Sequence, residues 1–157
     1  MAVVEAGLSS LGVQFCYGVS ESGVAPSTVK QLERCNSIGG IALETEQIDA
    51  SALEDYVSRY IAGRQDTGGT WEVVFNLTDE VITQLEAMIA EYKGLSGGQS
   101  LWFEVLHPNM AKAFWVQAQP PKFLPMPEMA QNELQTITMT FTIEEYKGML
   151  TKVSPAA

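Results

Sequence analysis

Positive charge is scarce in this sequence: nine Lys and Arg face nineteen Asp and Glu, for a formal net charge of −10. A surface this acidic repels phosphate backbones and does not hold them, which argues against nucleic-acid binding. A surface that DNA passes without sticking remains compatible. Histidine is nearly absent. His107 stands alone, just ahead of Pro108. A lone His at a strand end is far more often structural than catalytic, because triads and metal sites need partners that the sequence does not place nearby. Two cysteines, Cys16 and Cys35, form no CxxC pair and are too few for a disulfide framework; they are expected as reduced, buried apolar side chains. No apolar run approaches the roughly 20 residues of a spanning helix. The opening "MAVVEAGLSSLG" lacks the basic and apolar regions of a secretory leader, so the chain is expected to be made in a cytoplasm and, if exported, to leave by a route that does not read its N-terminus. Glycine pairs occur in "SIGGI" and "LSGGQS", but no phosphate-binding glycine motif leads from a strand into a helix. "LSGGQ" matches the signature of transport ATPases, yet no Walker loop accompanies it, and 157 residues cannot hold that domain. No catalytic residue, cofactor or metal is expected.

What the chain does carry is period-two alternation. In "TWEVVFNL", Trp71, Val73, Phe75 and Leu77 share a face; in "QTITMTFTI", Ile137, Met139, Phe141 and Ile143 do, with threonines opposite. Both read as strands. "GVQFCYGV" is a third. "SLWFEVLH" and "AFWVQAQ" are strand-like but apolar on both faces at Trp102, Leu106 and Trp115, with "HPNMAK" as the turn between them. One helix is expected over 78–94: Thr78 caps, Asp79 and Glu80 sit in the first turn, Val81, Leu85, Met88 and Tyr92 recur at helical spacing, and Lys93-Gly94 closes. No βαβα rhythm appears, which excludes a doubly wound sheet. The expected fold is mainly β: two packed antiparallel sheets, as a sandwich or barrel, with one flanking helix. Residues 1–150 form a single domain, and 151–157 a flexible tail.

The stretch "CNSIGGIALETEQID" reads as a strand broken or bent at Gly39-Gly40, then filled with Glu44, Glu46 and Asp49. Glu44 and Glu46 would share one strand face, a spacing that permits a carboxylate pair; a solvated acidic face is the plainer reading. A long irregular loop follows at about 50–70, with a possible short helix at its start. It holds Tyr56, Arg59, Tyr60, Arg64 and Asp66. Aromatic and Arg side chains are enriched at interface centres, so this loop is a candidate contact; a plain surface loop is the alternative. "QPPKFLPMPEMAQNE" is a second irregular excursion.

The order of these segments over residues 30–148 resembles the tail tube, or major tail, proteins of long-tailed phages, a fold shared with the tube protein of type VI secretion. The resemblance rests on "SIGGIALETEQIDASALED", the loop "YVSRYIAGRQDTGG", the strand "TWEVVFNLTDE", the helix to Gly94, "SLWFEVLHP" with "AFWVQAQP", and "NELQTITMTFTIEE". It implies six copies in a ring, inner sheets joined into one barrel, and rings stacked into a hollow conduit. DNA would pass through without specific binding. The other partners implied are a tape-measure protein and tail terminator and tip proteins, in a virion tail. It also implies that the 50–70 loop reaches the neighbouring ring, and it leaves open whether the monomer is ordered before polymerising. Glu44, Glu46 and Asp49 become candidate lumen-facing acids, with ordinary solubility charge as their other reading. Three different readings stay open: a secreted type VI-like tube, a β-sandwich module binding a sugar or peptide through exposed Trp102 and Trp115, and a small enzyme using Glu44 and Glu46.

Overall fold

A computed structural model describes residues 6–21 and 23–155. The elements run β1 (Gln14–Glu21), β2 (Lys30–Leu32), β3 (Cys35–Ile38), β4 (Glu44–Asp49), β5 (Tyr60–Asp66), β6 (Thr70–Asn76), α1 (Asp79–Lys93), β7 (Gln99–Leu106), β8 (Lys112–Gln119) and β9 (Thr136–Thr151). The fold is mainly β with one helix and two antiparallel sheets, as the sequence led us to expect. The larger sheet has seven strands in the order β2-β1-β7-β8-β9-β6-β3; β4 and β5 pair separately.

The seven-stranded sheet encloses the core by curling on itself. β2 and β3 are its two outer strands, yet only Glu33 and Arg34 separate them in the chain. Arg34 makes this tight passage at φ 57, the left-handed region that non-glycine residues seldom enter. The two ends of the sheet therefore lie side by side, without ladder hydrogen bonds closing a barrel. The aromatic core confirms the curl. Phe15 on β1 reaches Trp71 on β6 at 5.5 Å between ring centroids and stacks on Phe103 at 5.4 Å, while Phe103 meets Phe141 at 4.6 Å. Burying each such ring contributes on the order of 2–3 kcal/mol.

The alternation of β6 and β9 maps directly onto burial: Trp71, Val73, Phe75, Ile137, Met139 and Phe141 are buried, and Thr138, Thr140 and Thr142 are exposed. β9 runs on to Thr151 because it serves two partners in turn, β6 along 136–142 and β8 along 142–151. α1 forms as expected: Thr78 Oγ1 accepts the Val81 amide, Gly94 caps the end, and Val81, Leu85, Met88 and Ile89 enter the core. Its Gln84 and Glu91 do not merely face water. Gln84 Oε1 accepts the Glu33 amide at 2.9 Å, and Glu91 pairs with Lys30 at 2.6 Å, tying the helix to the β2 margin.

The two-sided apolar pattern of β7 and β8 marks a second, smaller core on the outer face. Trp102, Trp115, Leu106, Ala113 and Cys16 pack there with Val29 from the chain after β1. That passage crosses so close to β1 that a Cβ at Gly18 would lie 2.7 Å from the Thr28 carbonyl oxygen. Trp102 and Trp115 are 1% and 0% exposed and meet edge to face at 6.1 Å. The rival reading, a module that stacks a ligand on exposed tryptophans, is thereby excluded: both rings are buried, so neither is available. Past β9, the segment expected to be loose makes specific contacts: the Val153 amide donates to Glu104 Oε2 at 2.8 Å, and Lys152 Nζ to the Met110 carbonyl at 2.8 Å.

Candidate assembly surface

Gly39 and Gly40 end β3, and the chain then leaves the body. Gly39 is held between two bonds: its amide donates to Glu72 O at 2.7 Å, and its carbonyl accepts Trp71 Nε1 at 2.6 Å. A Cβ on Gly39 would sit 2.7 Å from Glu72 O, so glycine is required by space. Beyond it, β4 and β5 form a two-stranded arm whose strand residues are exposed apart from half-buried Gly63. The 50–70 loop is thus corrected: residues 60–66 are a strand, the excursion begins at Gly39, and turns replace the short helix.

The arm brings the candidate residues together on one element. Pairing sets Glu44 opposite Asp66, and Ile48 opposite Ile61, with a bulge between Thr45 and Gln47. Strand alternation puts Glu44 and Glu46 on the face of Ile48; Asp49 shares the other face with Tyr60. Arg64 borders the same groove as Glu44, Glu46 and Asp66. Tyr56 lies at the tip, 105% exposed, and Tyr60 is 58% exposed on β5. Sequence reasoning missed the aliphatic share: Ile48, Leu53, Val57 and Ile61 are exposed too. Ile48 and Ile61, opposite each other on the ladder, form an exposed apolar pair on this face.

The tip is locally tied. Ala50 N–H donates to Arg59 O at 2.8 Å, and the Arg59 amide donates to Ser51 Oγ at 2.8 Å. The Ser51 hydroxyl and amide hold the Asp49 carboxyl below the usual carboxylate range. Asp55 accepts the Ala52 amide at 2.8 Å and pairs with Arg59 Nε at 3.4 Å. These bonds shape a hairpin end.

Elsewhere, His107 is structural. Its Nδ1 accepts the Asn109 amide, which leaves Nε2–H to donate to Ser9 O at 2.6 Å. Cys16 and Cys35 are both free; burial, then the Glu104 charge, pushes the Cys16 thiol up to about 12, and burial pushes Cys35 to about 11. Neither is a ready nucleophile. Among the described residues, no cluster of three His, Cys, Asp or Glu could hold a metal ion, and no helix is long and apolar enough to cross a membrane.

Comparison with known proteins places the fold. No protein-family model matches the sequence, and no curated protein matches it. Among solved structures, a chain in the cryo-EM structure of the anti-feeding prophage baseplate, six-fold symmetrised, is similar at TM-score 0.52 and 11% identity, covering 95% of this chain and 98% of that chain. The two chains share a fold. At this identity the likeness is one of architecture, and it spans nearly the whole of both chains.

Proposed function

We propose that this chain is a structural subunit of a phage tail or tail-like particle: a tube protein whose copies form six-membered rings that stack into a conduit. The observation that carries this reading is the likeness, over 95% of the chain, to a component of a baseplate with six-fold symmetry. The arm supports it independently. A two-stranded ribbon is at best marginally stable in water, and this one has two unpaired edges and exposed Ile48, Tyr60 and Ile61. A partner that covers it turns that liability into assembly.

In this reading the acids serve by repulsion. Lys or Arg along a conduit would add affinity for each phosphate they met, by counterion release; a wall bearing Glu44, Glu46 and Asp49 lets DNA slide. The subunit carries out no reaction and needs no cofactor. Tape-measure, terminator and tip proteins would be its partners in the particle. A second reading is favoured by the baseplate itself: a ring that seats the tube, in place of the repeating shaft. A secreted type VI-like tube would differ in cargo, not in geometry.

Negative-stain microscopy of the purified chain tests the proposal. Rings or hollow filaments are expected for the shaft, single closed rings for the baseplate position. Isolated single subunits at high concentration would overturn both.

A further inference from the structure

An apolar cleft of about 210 Å³ opens at the root of the arm, lined by Ile38, Ile41, Trp71, Phe114, Val116 and Tyr146. Four of these, Ile38, Ile41, Phe114 and Tyr146, are half-buried, so the cleft is a pit in the core wall that stays open. Lys112 stands two residues before Phe114 and, by strand alternation, at the rim of the same face. The arm's far end is the opposite in shape: a convex tip showing Leu53, Tyr56 and Val57, with Glu54 among them.

Resting on the assembly proposed above, we infer that the cleft receives the arm tip of a second copy, with Tyr56 as the anchor and Glu54 beside Lys112. Three features argue for this occupant. The arm cannot serve its own cleft, because Gly39, Gly40 and Ile41 form both the arm's root and the cleft wall. β4 alone, six residues long, holds the tip about 20 Å from that root at roughly 3.3 Å per residue. The charges also match. Glu54 stands at the tip, and exposed Lys112 stands at the rim of the cleft. A Tyr seated in an apolar pit beneath a charged rim is the usual form of an interface anchor. Tip into root joins two different patches, so the contact is heterologous and repeats from copy to copy until a ring closes or a filament grows.

Cysteine pairing tests it on the full chain, with Cys35→Ser to silence the half-buried thiol. Tyr56→Cys and Ile41→Cys proteins are oxidised separately and mixed. A disulfide-linked dimer confined to the mixture is expected. If microscopy shows rings or filaments and the mixture still fails to cross-link, the contact is overturned and the tube reading survives; a chain that neither assembles nor cross-links overturns both. Ile41→Trp, which fills the cleft, gives a second readout: the concentration needed for assembly should rise about thirtyfold, the scale of losing one anchor, while the melting temperature holds. Unchanged assembly of Ile41→Trp would equally overturn the contact.

Discussion

Glu104 sits wholly buried on β7, facing Cys16 of β1 across the ladder and Lys152 beyond β9, with Oε2 taken by the Val153 amide. Burial raises its pKa above the ordinary 4.5; the Val153 bond and the Lys152 charge oppose this without cancelling it. A carboxyl whose folded pKa is raised favours folding in its protonated form. Its contribution is complete below about 4.5 and is lost as pH climbs through the folded pKa. Glu104→Gln keeps an acceptor for Val153 and removes the charge. The variant should melt higher than the parent at neutral pH, with the gap closing as pH falls toward 4.5. Thermal melts across that range check this; a gap that is the same at every pH would contradict it. The paired tryptophans teach a related lesson at this scale. Trp102 and Trp115 lie on strands apolar on both faces, a pattern that calls for a covering element, and the chain after β1 and the end past β9 supply it.

At the scale of elements, what the sequence revealed is what burial had written into it. β6, β9 and α1 were legible because each has one wet face and one dry face, which imprints a period on the side chains. β5 was not. "YIAGRQD" has both faces exposed, so nothing selects an alternation, and the strand reads as loop. Glu44, Glu46 and Asp49 lie on β4, which belongs to the arm and not to the main sheet. The meeting of β2 and β3 was equally invisible, since sheet order is decided by long-range pairing. No arm residue from β4 or β5 contributes to either core. Replacing residues 43–67 by a short Gly-Ser link should therefore leave the body folded, with a melting temperature within about 5 °C of the parent. It should also abolish self-association. Loss of the cooperative melt would contradict the separation of arm and body. Substituting Gly39→Ala, by contrast, drives a methyl against Glu72 O and should cost about 1–3 kcal/mol, read by denaturant unfolding.

For the whole molecule, the account joins a self-contained body, a projecting acidic arm, and a fold likeness to a six-fold assembly. The body needs no partner: its aromatic core is closed by the curled sheet and α1. In the proposed assembly the arm meets a neighbour, and the exposed Ile48, Tyr56, Tyr60 and Ile61 are the surface that neighbour would cover. Native mass spectrometry of the purified chain, from low to high concentration, puts this most directly. The account predicts a species of six chains, or multiples of six, growing with concentration and missing from the protein that lacks residues 43–67. A single-chain mass throughout, or an assembly that the armless protein forms equally well, would contradict it.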